Sequence, residues 1–103
     1  MSKTEEARRL FDLIADGHEN TLLRPADKYI DRALRDLVLE ANKTGDCIIN
    51  VGNGYYRPVP GDSVDTAEFN HYRSSELKRA REILLKRLKM TIAFKEKGVI
   101  SNA

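Results

Sequence analysis

Lys28, Arg32 and Arg35 are spaced so that, at about 100° of turn per residue, they share one side of a helix. Their chemistry suits an anionic partner. A guanidinium fork bonds a guanine edge at two points, and either cation neutralises a phosphate. Opposite them run Leu34, Leu37 and Ala41, part of an apolar face that also includes Ile30, Ala33 and Val38. Asp31, Asp36 and Glu40 lie nearby, so a solvated charged face is the plain alternative.

A second cluster surrounds Gly52-Asn53-Gly54, whose residues tolerate the positive φ of a tight hairpin turn. The glycine amides can approach a phosphate closely, and Asn53 and Arg57 are positioned to contact the same backbone. Strand alternation turns one of Tyr55 and Tyr56 inward and the other to solvent.

A third cluster lies further on. Arg79 and Lys86, with Lys78, Lys89 and Lys97, form a basic ridge interrupted by Glu82, suited to following a DNA backbone. On the other side Leu77, Ala80, Leu84, Leu88 and Thr91 make an apolar stripe, widened by Ile83 and Phe94 and by Leu85 and Ile92. That arc exceeds the ~100° of a simple surface helix and predicts an interface, expected to be a two-fold homodimer. The alternative is a helix folded back across its own domain.

Catalytic chemistry finds no such support. His18 falls in a polar loop, and His71 lies between Phe69 and Tyr72 with no triad or metal-pair spacing. Cys47 precedes an apolar strand and reads as a buried, inert thiol. As the sole cysteine it excludes an internal disulfide and a cysteine-based zinc site. The glycine turn lacks the Gly-Lys-Ser/Thr and following helix of a phosphate-binding loop. No catalytic residue, metal or cofactor is expected.

The elements follow from caps and periodicity. Ser2-Lys3-Thr4-Glu5 caps a helix over about residues 3–16, which Gly17 ends. Residues 24–43 form either one helix or a short helix, a turn near Asp31 and a longer helix. Residues 47–51 and 55–57 form a hairpin, ended by Pro58 and Pro60. Asp65 caps a helix running to Lys97, stopped by Gly98, about 50 Å long. The fold class is mainly α with a β-hairpin (α+β). Residues 1–62 form the first domain, 63–98 the long C-terminal helix and 99–103 a tail, frayed at Ser101-Asn102-Ala103.

One hundred and three residues suffice for one modest core, and 41% hydrophobic content argues against disorder. The net charge of +2 conceals a split. Residues 1–72 carry nine Lys/Arg against thirteen Asp/Glu, and residues 73–103 carry nine against three. The basic segment suggests an anionic partner, or neutralisation within the fold or a dimer. With no signal peptide and no apolar run near ~20 residues, a cytoplasmic protein without membrane contact is expected.

The stretch Arg32-Ala33-Leu34-Arg35-Asp36-Leu37-Val38, then Ile48-Ile49-Asn50 and Gly54-Tyr55-Tyr56, resembles small winged helix-turn-helix proteins of phages, prophages and other mobile elements. His18-Glu19-Asn20 looks like the turn that opens the helix-turn-helix there, and Tyr72 with Arg79 or Arg81 like the C-terminal helix. The resemblance covers about residues 10–81. It departs between Thr21 and Asp31, where few residues remain for a full helix and turn. It implies a winged-helix-like domain binding double-stranded DNA, with Arg32 and Arg35 on the reading helix and Arg57 on the wing. A transcription regulator or accessory factor, binding as a dimer, is the expected function. A protein-protein adaptor acting through the long helix is the alternative.

Overall fold

A computed structural model describes residues 2–101, with side-chain exposure described over residues 2–98; of the tail, Asn102 and Ala103 lie outside the described residues. The fold is mainly helical, with a small antiparallel sheet and a long C-terminal helix.

Helix α1 (Lys3–Phe11) opens on Ser2, whose side chain accepts a hydrogen bond from the Glu5 amide at 3.1 Å. It ends five residues earlier than its periodicity predicts, because the chain beyond it is used elsewhere. The Arg57 amide donates to the Ala15 carbonyl and the Gly17 amide to the Arg57 carbonyl, both at 2.9 Å. Gly17, at φ +90°, then leads into a 3-10 turn at His18–Asn20 instead of capping the helix.

The strands are β1 (Leu22–Leu23), β2 (Ile49–Asn50) and β3 (Gly54–Tyr56), in the order β1-β3-β2. The expected hairpin is present, with Ile49 opposite Tyr56 and Asn50 opposite Tyr55. Gly52 alone in its turn takes positive φ, and its amide bonds the Asn50 side chain at 2.8 Å. Gly54 serves closeness: a Cβ there would lie 2.3 Å from the Leu22 carbonyl oxygen of β1.

Helix α2 (Lys28–Lys43) is a single helix capped by Asp27, which accepts from the Tyr29 and Ile30 amides at 2.8 and 3.1 Å. No helix lies between Leu23 and Lys28, so the element that precedes a reading helix in a helix-turn-helix is missing from these residues.

The core joins Ala7 and Ile14 to Leu34 and Val38 of α2 and to Ile48 and Tyr55. Asn42 locks α2 to the sheet, donating to the Ile48 carbonyl and accepting from its amide, at 2.9 and 2.8 Å. Tyr55 and Tyr56 are both buried, against the expectation of one exposed ring. Tyr55 faces the helical core, while the Tyr56 hydroxyl on the other face donates to Glu68 at 2.9 Å. Alternation holds, but both faces are covered.

Helix α3 (Ser63–Ser101) starts two residues before Asp65 and passes through Gly98. A glycine inside a helix costs about 1 kcal/mol relative to alanine, too little to stop one. The chain divides into two compact units, one ending at Tyr72 and the other beginning at Arg73. No helix among the described residues is long and apolar enough to cross a membrane.

Candidate nucleic-acid interface

Helix α2 buries Asp31, Leu34 and Val38 on one side. Lys28, Arg32, Arg35, Leu39 and Lys43 are exposed on another. At about 100° per residue these five fall within roughly 80° of circumference and about 22 Å of length. Lys43 was not among the residues singled out by sequence, although its spacing from Arg35 and Leu39 continues the same stripe.

Arg24 supports this face from outside the helix. Its Nε and Nη2 donate to the two oxygens of Asp31 at 3.1 and 2.7 Å, and its Nη1 donates to the Gly52 carbonyl at 3.3 Å. The Arg24 hydrogen bond is the main reason that the Asp31 carboxyl stays below its ordinary range despite partial burial. Arg35 approaches the same carboxylate only to 3.8 Å and remains about half exposed. Asp31 therefore makes its two side-chain hydrogen bonds to Arg24 and only a longer ion pair with Arg35. The Arg24 amide also donates to the Asn53 carbonyl at 2.9 Å, which ties the exposed hairpin tip to the segment between β1 and α2.

Arg57 is placed differently from its expected role on the wing. Its Nε and Nη2 bond Asp46 at 2.9 and 2.8 Å, its Nη1 donates to the Ile14 carbonyl, and its guanidinium lies over the Phe11 ring. Its polar groups serve the fold, so it is withdrawn from the candidate interface. Cys47, expected to be buried, is exposed. Desolvation and then the neighbouring Asp46 carboxylate raise its thiol above the ordinary value, which keeps it protonated.

A cluster that sequence spacing did not reveal joins residues more than forty positions apart. His18 Nδ1 lies 2.6 Å from Asp65 Oδ1, 3.2 Å from Glu19 and 3.7 Å from Asp62. Asp65 is fully buried and also accepts from the His18 and Val59 amides at 3.1 and 2.8 Å. The ligand atoms of His18, Asp62 and Asp65 lie within 4.8 Å of one another, close enough for a cation. The 2.6 Å separation of Nδ1 and Asp65 Oδ1 is that of a hydrogen bond between the two side chains. The arrangement anchors the first turn of α3 to the 3-10 turn.

Comparison with protein-family models, curated proteins and solved structures finds no match.

The remaining candidate residues belong to the second unit. Arg79 lies 3.7 Å from Glu76 and, like Lys86, is exposed. Leu77, Ala80, Leu84, Leu88 and Thr91 are also exposed, as is every residue from Arg73 to Gly98. Thr91 spends its hydroxyl on the Arg87 carbonyl at 2.9 Å.

Proposed function

We propose that the unit ending at Tyr72 binds double-stranded DNA and presents α2 to the major groove. The observation that supports this most is the sorting of charge. Lys28, Arg32, Arg35 and Lys43 are exposed along one side of a helix whose other side is in the core. Arg24 and Arg57, by contrast, are spent on Asp31 and Asp46. A major groove about 12 Å wide admits such a helix. Arg32 and Arg35 contact base edges, Lys28 and Lys43 neutralise phosphates, and Asn53 contacts the flanking backbone. The order of elements, with a hairpin beside the reading helix, suits a winged-helix-like body that lacks the preceding helix. Such a module is non-catalytic, acts in the cytoplasm and serves as a regulator or accessory factor of a mobile element.

The test is selection of duplexes from a random library at two salt concentrations, followed by mobility shifts with R32A/R35A. Base contacts contribute about 1–3 kcal/mol each, so the double variant should lose at least about tenfold in specific affinity. Full retention of affinity by a folded double variant would sink the assignment.

The second reading is that the helix after Tyr72 is an assembly element, favoured by the exposure of its large apolar side chains. A stable complex by light scattering, with no DNA affinity at low salt, would support this reading over the first.

A further inference from the structure

The large apolar side chains between Leu77 and Phe94 are 48–78% exposed. At about 100° per residue they, with Ala80 and Thr91, occupy roughly 220° of the helix circumference. A stripe of ~100° suffices for a helix resting on one surface. An arc twice that wide needs neighbours on two sides, as in a helix bundle. Contiguous apolar area of this kind marks an interface.

The charges within the arc indicate what covers it. Arg81 falls between Leu88 and Ile92, Arg87 between Phe94 and Ala80, and Lys95 in line with Leu77 and Leu84. Covering the arc desolvates these cations, which is strongly unfavourable unless carboxylates meet them. The same helix of a second copy is poorly equipped to supply those. Glu82 and Glu96 lie on the far side of the helix, and Glu76 is already 3.7 Å from Arg79. Self-pairing sets three cations against their own images. A lipid surface is equally unsuited, because a membrane-lying helix keeps its cations on the polar face, whereas Lys95 lies within the apolar arc.

We infer that residues 77–95 dock into an apolar groove between two helices of an acidic partner protein, whose carboxylates meet Arg81, Arg87 and Lys95. The inference does not rest on the proposed DNA contact, and its test does not involve DNA.

The experiment uses the full chain and two synthetic amphipathic helical peptides with the same leucine-isoleucine face, one flanked by glutamates and the other by lysines. Fluorescence anisotropy measures binding, with phosphatidylglycerol vesicles as a further probe and sedimentation velocity on the chain alone. The chain should sediment as a monomer and bind the glutamate peptide at least about tenfold more tightly than the lysine peptide. R81E/R87E/K95E should invert that preference, and L84D/L88D should abolish binding while far-UV circular dichroism stays unchanged. Three results would overturn the inference. They are a salt-resistant oligomer that binds neither peptide, partition onto vesicles without peptide binding, and equal affinity for the two peptides.

Discussion

Arg24 lies across the carboxylate of Asp31, donating to both of its oxygens, while Arg35, one helical turn further on, stays at 3.8 Å. Two cations compete for one acid, and the one from outside the helix wins. The Arg24→Ala variant should allow Asp31 to draw Arg35 inward, so DNA affinity falls although α2 keeps every cation. Adding Asp31→Asn to that variant removes the competing acid and should restore part of the affinity. Mobility shifts on the two variants check this, and equal affinities would contradict it.

Phosphate neutralisation by Lys28 and Lys43 has its own signature. Each contact contributes about 0.9 to the slope of log affinity against log salt. The Lys28→Ala and Lys43→Ala variants should each lower that slope by roughly this amount, uniformly across duplex sequences. An unchanged slope would remove that lysine from the interface.

Two glycines should respond oppositely to alanine. At Gly54 the new Cβ would meet the Leu22 carbonyl at 2.3 Å, so β1 must move away from β3. Overpacking of this kind costs about 1–3 kcal/mol, read as a lower urea midpoint. Gly98 is helical with open space around it, and Gly98→Ala should add helicity worth about 1 kcal/mol.

The adjacent tyrosines differ in the same way. The Tyr55 hydroxyl is buried without a hydrogen-bond partner among the described residues. Tyr55→Phe should leave stability unchanged or raise it by about 1 kcal/mol. Tyr56 donates to Glu68, so Tyr56→Phe should cost about 1 kcal/mol. Burial, and then Glu68, also raise the Tyr56 phenol well above its ordinary range, so it does not titrate below strongly alkaline pH.

The His18–Asp65 anchor predicts a stability maximum in pH. The hydrogen bond to Asp65 raises the His18 imidazole above its ordinary value. Its contribution is complete below that ordinary value and is lost as pH rises through the raised one. Burial pushes Asp65 upward, but the Val59 and His18 amides and the imidazole outweigh it and hold the carboxyl below its ordinary value. That contribution is present above the ordinary carboxyl value and is lost as pH falls through the lowered one. Thermal unfolding across pH should show both limbs, and His18→Gln should flatten the one near neutrality. An unaltered profile in that variant would show that the anchor does not titrate.

Local spacing determined much of this molecule. The apolar face of α2, the Ser2 cap, the Gly52 turn and the apolar arc after Tyr72 are all set by residues within a few positions of one another. Helical and strand periods make those patterns readable along the chain. Tertiary structure decided which charges are free. Arg57 and Arg35 look alike in sequence, yet Arg57 meets Asp46 and the Ile14 carbonyl, 43 positions away in the latter case, whereas Arg35 stays about half exposed, with only a 3.8 Å ion pair to Asp31. The Tyr56 hydroxyl finds its acceptor only in Glu68 of α3, and Gly54 is needed because β1 passes within contact distance. Hydrogen bonds and ion pairs depend on distances of a few ångströms, and those distances exist only once separate elements have packed together.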